Sequence, residues 1–105
     1  YASQIRYHIG DAAEVIPSIE GTFDLVFIGA DKKRNLYYFN ALIDRVRPGG
    51  VILVDNVLWK GKVFDENPDK QTQQVIELNQ TLAEDKRVEK LILPIRDGLF
   101  VLRKK

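Results

Sequence analysis

The sequence predicts an α/β fold, in which a mostly parallel sheet ends in a C-terminal antiparallel hairpin. Apolar runs that suit strands alternate with segments of helical period, which is the pattern of strand-helix-strand units. Residues 51–54 (VILV) have no polar side chain and follow a Pro-Gly-Gly turn, as expected of a parallel strand covered on both faces. An Asp-Gly pair at 97–98 separates the last two apolar runs and indicates the hairpin.

The predicted elements follow one another as β-α-β-α-β-loop-α-β-β. A strand over 4–9 alternates apolar and polar residues, and a short helix that begins at Asp11 carries an apolar stripe. A Pro-Gly-Gly segment at 48–50 ends the clearest helix. The other predictions are strands over 23–28, 51–54, 88–95 and 99–103, helices over 33–46 and 71–84, and an irregular segment over 57–70.

The composition is that of one ordinary globular domain over residues 1–105. Hydrophobic residues make up 45% and charged residues 30%, and the net charge of +1 gives no electrostatic argument for a nucleic acid or membrane partner. The chain has no cysteine, so thiol chemistry is excluded. No apolar run reaches the ~20 residues of a membrane helix, no signal peptide opens the chain, and the cytoplasm is the expected location. The first residue is Tyr1 rather than Met, as in a processed product or a piece of a longer protein.

Two polar residues stand at the carboxyl end of the strand over 51–54. Asp55 and Asn56 lie where ligands bind in open α/β sheets. Both carry hard oxygen atoms, the type that Mg²⁺ or Ca²⁺ accepts. Short polar residues after a strand are also common turn formers, so these residues alone leave a metal site and a simple turn equally open.

Three segments, in this order and with this spacing, resemble a known family. They are 23–32 (FDLVFIGADK), 47–63 (RPGGVILVDNVLWKGKV) and 93–99 (LPIRDGL), and they resemble the cation-dependent O-methyltransferases of the caffeoyl-CoA and catechol type. The resemblance implies a Rossmann-like class I methyltransferase that uses S-adenosylmethionine. It also implies that the chain is the C-terminal half of the domain, with strands 3–7 of seven. No G-x-G-x-x-G occurs in the chain, and by resemblance the glycine-rich cofactor loop lies upstream.

The resemblance further implies a gap in the sheet. The family's strand order is 3-2-1-4-5-7-6, so two absent strands would separate the strand over 4–9 from the strand over 23–28. An empty gap would leave apolar faces and unpaired backbone groups in water. Either the first segment moves to pair beside 23–28, or a second chain fills the edge. We expect self-association, a homo-oligomer, through that edge.

The resemblance assigns a divalent cation, with Mg²⁺ expected, to the end of the central strand. Asp55 and Asn56 match one of two carboxylates and the amide that hold the ion in the family. The other carboxylate corresponds to Gly29, and this departure lowers the expected affinity for Mg²⁺. Asp31 would replace the missing ligand only if its loop shifted. Otherwise we expect Asp31 to contact the cofactor.

The remaining roles concern the transfer itself. Lys32 matches the family's catalytic base, and Asp11 and Ala12 match the segment beside the adenine of the cofactor. Asp11 also suits a helix cap, and both roles can hold together. Trp59 either lines the acceptor site or plugs its own loop.

The implied acceptor is a small hydroxylated aromatic such as a catechol. We expect the isolated chain to be inactive, because its sequence lacks the glycine-rich loop. The alternative is a non-enzymatic, methyltransferase-like domain that dimerises through its exposed sheet edge, and Gly29 favours this alternative slightly.

Overall fold

The structure is a computed structural model that describes residues 2–29 and 33–105. Short 3₁₀ helices cover Ala2–Gln4, Ile16–Ser18, Ile43–Arg45 and Trp59–Phe64. Within the described ranges, no helix is long and apolar enough to cross a membrane. The main elements are α1 (Ala12–Val15), β1 (Phe23–Ile28), α2 (Asn35–Leu42), β2 (Val46–Asp55), α3 (Lys70–Glu84), β3 (Val88–Leu93) and β4 (Leu99–Lys104).

The strands form a four-stranded open sheet in the order β1-β2-β4-β3. β1 and β2 are parallel, whereas β4 pairs antiparallel with both β2 and β3. The α/β fold class and the C-terminal hairpin are therefore confirmed. The described sheet has more antiparallel than parallel pairings because the strand expected over 4–9 does not join it.

The prediction of a strand over 4–9 is wrong. After the turn at Ala2–Gln4, residues 5–9 have no regular secondary structure. The side chains of Ile5, Tyr7 and Ile9 are 53%, 88% and 100% exposed. An extended segment needs a hydrogen-bonded neighbour to persist as a strand in water, and alternation alone does not supply that neighbour. The described edge of β1 consequently has no strand beside it.

The central strand begins earlier than predicted, and the helix before it is shorter. α2 ends at Leu42, a 3₁₀ turn follows, and β2 already begins at Val46. The pairing with β1 shifts register between Phe23 and Leu25, so the Pro-Gly-Gly segment lies within an irregular part of the strand. A Cβ at Gly50 would lie 2.5 Å from Val46 Cγ1 and 3.0 Å from the carbonyl oxygen of Asp24, which requires glycine there.

The helices α2 and α3 cover one face of the sheet, which we name the covered face. On β2 and β4 its side chains are Ile52, Val54, Phe100 and Leu102, each at most 2% exposed. The described core is this face together with the helix residues that pack on it: Ile28, Tyr38, Phe39, Ile43, Val46, Val57, Leu78, Leu82 and Val88. The predicted inward face of α3 is confirmed at Val75, Leu78 and Leu82.

The opposite face of the sheet, which we name the open face, has partly exposed apolar side chains. Val51, Leu53 and Val101 are only half-buried, and Leu25 and Phe27 on β1 are each 60% exposed. Successive side chains of a strand point to opposite faces, so these residues alternate with those of the core. The expectation that residues 51–54 are covered on both faces is therefore wrong for one face.

Candidate functional site

The carboxyl ends of β1 and β2 meet at one edge of the sheet. Ile28 and Val54 lie opposite each other in the parallel register. Gly29 and Asp55 follow these two residues, so they stand at the same level on neighbouring strands, which lie about 4.8 Å apart in a sheet. The structure thus brings together two of the positions that the resemblance assigns to the cation.

Asp55 is the last residue of β2, and Asn56 directly follows the strand. Asp55 Oδ1 accepts a hydrogen bond from the backbone N–H of Asn56 at 2.9 Å. Asn56 adopts a left-handed conformation with φ of 59°, which asparagine tolerates better than most residues. Both side chains are half-buried. Asp55 still pairs with Leu99 of β4, so only Asn56 has the strained conformation expected after the strand. Metal binding by these residues stays a prediction.

The described side chains fall short of a complete cation site. Asp55 brings one carboxylate and Asn56 one amide oxygen, but Gly29 brings no ligand atom. Across residues 2–29 and 33–105, no three His, Asp or Glu side chains come close enough together to hold an ion. Mg²⁺ demands near-octahedral oxygen geometry, which this donor set does not fill.

Position 29 has room for a side chain if one ring moves. A Cβ at Gly29 would lie 3.0 Å from Cε1 of Phe27. The Phe27 ring is 60% exposed, so it can rotate away at small cost. An aspartate at this position would stand beside Asp55 and would place a second carboxylate at the strand ends.

A cavity of about 260 Å³ opens beside the carboxyl end of β2, and we name it the acceptor pocket. Asn56, Trp59, Lys60, Lys62 and Asp97 line it. The half-buried Trp59 contributes to its wall, and a role in acceptor binding stays a prediction. The cavity therefore combines an aromatic wall, an amide and two lysines.

The loop that forms this pocket has a backbone that few sequences adopt. Trp59, Lys60 and Gly61 are all left-handed, with φ of 52°, 55° and 79°. Such strain persists only where the surroundings hold it, and it concentrates at functional sites. The chain just before Trp59 is held by α3, because Asn79 Nδ2 donates to the carbonyl oxygen of Val57 at 2.7 Å.

Asp97 fixes the same loop from the hairpin side. Its backbone carbonyl accepts from the N–H of Leu58 at 2.9 Å, and its Oδ1 accepts from the N–H of Lys60. A Cβ at Gly98 would lie 2.5 Å from Leu58 Cγ, so the hairpin glycine also allows this close approach. The sequence marks 97–98 only as a hairpin. The role of Asp97 in fixing the loop depends on a tertiary contact that no local sequence pattern reveals. The same is true of the positions of Lys60 and Lys62 beside the pocket.

A second cavity, of about 150 Å³, lies on the side assigned to the cofactor. Its apolar wall suits a flat ring such as adenine. Ala12 lines it, and Gly29 connects it to the strand ends. The full lining is Ala12, Ile16, Phe27, Ile28, Gly29, Tyr38 and Leu42.

Asp11 is the N-cap of α1 and ties that helix to α2. Its Oδ1 accepts from the N–H of Ala13 at 2.9 Å, and both carboxylate oxygens lie 3.1 Å from Nη1 of Arg34. The bond from Ala13, followed by that from Arg34, lowers the pKa of the Asp11 carboxyl. The cap role is confirmed, and cofactor binding by Asp11 and Ala12 stays a prediction. Asp31 and Lys32 lie outside the described residues.

Comparisons with known proteins agree on one family. A family profile described as O-methyltransferase matches residues 1–105. Caffeoyl-CoA O-methyltransferase 1 of Arabidopsis thaliana is 38% identical over 117 aligned positions, covering 98% of this chain and 45% of the relative. A caffeoyl-CoA O-methyltransferase of Petroselinum crispum is 43% identical over 91 positions, covering 80% of this chain and 38% of the relative.

Solved structures show the same relationship. The O-methyltransferase TomG of Streptomyces achromogenes, in complex with SAM, has a TM-score of 0.85 at 28% identity, over 99% of this chain and 51% of its own. The O-methyltransferase of Bacillus cereus, in complex with SAH, has a TM-score of 0.78 at 29% identity, over 91% and 48%. This chain thus spans about half the length of the curated relatives and solved structures that it matches.

Proposed function

The chain belongs to the O-methyltransferase family, and on that basis we propose that it forms part of an S-adenosylmethionine-dependent enzyme that methylates a small, catechol-like aromatic. The observation that carries the acceptor class is the acceptor pocket, where Trp59 faces a cavity that Asn56 also lines. An indole wall suits a flat ring, and an amide can hydrogen-bond a hydroxyl on that ring.

Methyl transfer is an in-line displacement that needs a deprotonated, positioned acceptor oxygen. The oxygen's lone pair forms the new bond to the methyl carbon while the bond from that carbon to the cofactor's sulfonium breaks. Asn56 and Trp59 would hold the ring, and holding reactants in line contributes a large share of catalysis. Lys32, outside the described residues, is the proposed base for the hydroxyl proton.

We keep Asp55 and Asn56 as proposed ligands of a divalent cation, with affinity limited by Gly29. A bound ion would lower the pKa of the acceptor hydroxyl. Because the described donors do not complete its coordination, we assign no step of the transfer to it. We also propose that the chain is inactive by itself, since its sequence has no G-x-G-x-x-G. Methyl transfer from S-adenosylmethionine to catechol by this chain alone would contradict that proposal.

The alternative is a non-enzymatic, methyltransferase-like domain whose partner is a second copy of this chain. Leu25 and Phe27 favour it, because both are 60% exposed on β1, an edge strand whose outer side pairs with no other strand among the described residues. Unpaired edges readily pair with another chain. Self-association is compatible with either function, so ligand binding at the acceptor pocket decides between them.

The cytoplasmic location stays a prediction.

Trp59 provides a direct probe of acceptor binding, because the sequence contains one tryptophan. Its indole N–H gives a single signal in a ¹⁵N–¹H spectrum. We expect catechol to shift this signal saturably, and 1,2-dimethoxybenzene, whose oxygens carry no protons, to bind more weakly. Asn56→Ala should lower the affinity for catechol by roughly fivefold, the usual worth of one hydrogen bond.

Asn40→Ala is the matched control. Asn40 bonds Arg87 at 3.0 Å, next to the amino end of β3 and away from the pocket, so its loss should leave catechol binding unchanged. If catechol and its dimethyl ether shift the indole signal equally, or neither shifts it, the proposed function is wrong.

A further inference from the structure

We infer that Asp97 is a positioning residue of the acceptor pocket: its carboxylate holds the loop that carries Trp59 in the shape that binds an acceptor. This inference rests on the proposed function and names the residue on which the aromatic wall depends. Asp97 lies in the β3–β4 turn, 37 positions after Lys60, yet both residues line the same cavity as Trp59. The turn of the hairpin therefore shapes a pocket at the end of a different strand.

Asp97 binds the N–H groups on both sides of Trp59. Its backbone carbonyl oxygen accepts from the N–H of Leu58 at 2.9 Å, and its side-chain Oδ1 accepts from the N–H of Lys60. A hydrogen bond to a carboxylate is roughly twice as strong as one between neutral groups. The residue that carries the indole is thus held between two anchors on one residue, and the second anchor is a side chain that a mutation can remove.

The bond to Lys60 matters because the loop is held in an unfavourable conformation. Trp59 and Lys60 have φ of 52° and 55°, and residues other than glycine seldom adopt the left-handed region. Gly61 continues this run and donates its N–H to the carbonyl oxygen of Leu58 at 3.0 Å. Such a backbone persists only where its surroundings hold it. Without the carboxylate we expect Trp59 and Lys60 to populate right-handed and extended conformations, which would move the indole out of the pocket wall.

The hairpin itself does not depend on this carboxylate. Backbone groups close the turn, since the N–H of Gly98 donates to the carbonyl oxygen of Ile95 at 2.9 Å. Backbone pairing also joins β3 to β4 along the two strands. A substitution that removes only the Asp97 carboxylate should therefore release the loop while the sheet and the hairpin stay folded. A pocket that is preorganised in this way loses less entropy when it binds a ligand, so its release should lower affinity.

The test measures the loop with and without a ligand. Hydrogen exchange of the Lys60 amide with water reports the loop of the free protein, and catechol titrated against the Trp59 indole signal reports the pocket. In Asp97→Ala we expect the Lys60 amide to exchange at least about tenfold faster, because a hydrogen-bonded amide exchanges only when its bond opens. The affinity for catechol should fall by about tenfold, the usual worth of a hydrogen bond to a charged group.

Two further variants separate positioning from general stability. Asp97→Asn keeps an oxygen that can accept from Lys60, so the exchange rate and the catechol affinity should each stay within about threefold of the wild type. Asp85→Ala is the matched control, because Asp85 Oδ1 accepts from the backbone N–H of Arg87 at 2.9 Å, beside the amino end of β3. It removes a bond of the same kind away from the pocket and should change neither measurement, even where it lowers stability.

The outcomes separate this inference from the function on which it rests. Equal affinity of the wild type and Asp97→Ala for catechol would overturn the inference and leave the proposed function intact. Weaker binding with unchanged Lys60 exchange would also overturn it, because Asp97 would then act by touching the acceptor. No response of the wild type to catechol would overturn the proposed function, and this inference with it.

The wild type supplies a test that needs no variant. Dispersion of the amide spectrum verifies that each variant folds. If Asp97→Ala does not fold, the Lys60 amide of the wild type decides: slow exchange supports the bond to Asp97, and exchange as fast as in an unstructured peptide would overturn the inference.

Discussion

The two faces of the sheet have nearly the same chemistry but opposite surroundings. Ile52 and Val54 on the covered face are fully buried beneath α2 and α3, whereas Val51 and Leu53, their neighbours on the same strand, are only half-buried. The open face extends to Leu25, which is 60% exposed. An apolar face of this kind is normally covered by another layer.

The comparison explains how a chain of half the relatives' length can have a packed core. The covered face is completed by helices close in sequence, α2 and α3, so its contacts lie within the 105 residues. The open face and the edge of β1 have no such neighbour among the described residues. The candidate site at the strand ends therefore lies between the packed covered face and the exposed open face.

The largest expected effect contrasts two leucines on neighbouring strands. Leu102→Ala on the covered face should lower the free energy of unfolding by about 3 kcal/mol, because Leu102 is 0% exposed and its loss leaves a cavity. Leu53→Ala on the open face should cost about 1 kcal/mol or less, since water already reaches that half-buried side chain. Urea unfolding of both variants measures the difference. Equal losses would mean that the open face is covered in solution.

Self-association through the edge of β1 is the next expected effect. Leu25→Lys should shift the equilibrium towards monomer, because a charge on an edge strand opposes pairing with another chain. Ile95→Lys, at a residue 56% exposed in the β3–β4 turn, is the matched control and should not change the equilibrium. Sedimentation equilibrium measures both. A wild-type chain that stays monomeric at high concentration would contradict the proposal.

The smallest expected effect lies at the rim of the covered face and depends on pH. Asp85 accepts from Nη2 of Arg87 at 2.6 Å, and this bond lowers the pKa of its carboxyl below 3.8. A lowered pKa in the folded state stabilises the protein above the unfolded pKa, and this contribution is lost as pH falls through the folded pKa. Asp85→Asn should therefore reduce the loss of stability that occurs over roughly pH 5 to pH 2.

Asp85→Asn should change the free energy of unfolding by at most about 1 kcal/mol, because the Arg87 side chain is 47% exposed and solvent screens the pair. Urea unfolding at several pH values measures it. Glu89→Gln is a useful control, since Glu89 and Arg103 are 3.5 Å apart with both side chains more than half exposed. An equal change in both variants would show that the effect is not specific to Asp85.

The sequence predicts the elements whose partners are local. The apolar periods place β1, α3 and the hairpin, and the resemblance identifies the family correctly. The strand over 4–9 fails because alternation describes one strand and not the neighbour that it needs. The pocket position of Lys60 and the second role of Asp97 also escape prediction, because a contact between residues 60 and 97 leaves no trace in either local pattern.

The candidate site at the strand ends is tested most directly by Mg²⁺ calorimetry on Gly29→Asp. Gly29→Asn is the neutral control, and Asp55→Asn in the Gly29→Asp background removes the neighbouring carboxylate. We expect Gly29→Asp to bind Mg²⁺ at least about tenfold more tightly than the wild type, because Mg²⁺ sites depend on carboxylate oxygens, and Asp55→Asn to reverse the gain. No gain, or a gain that does not depend on Asp55, would contradict a metal site at these strand ends and would favour the non-enzymatic alternative.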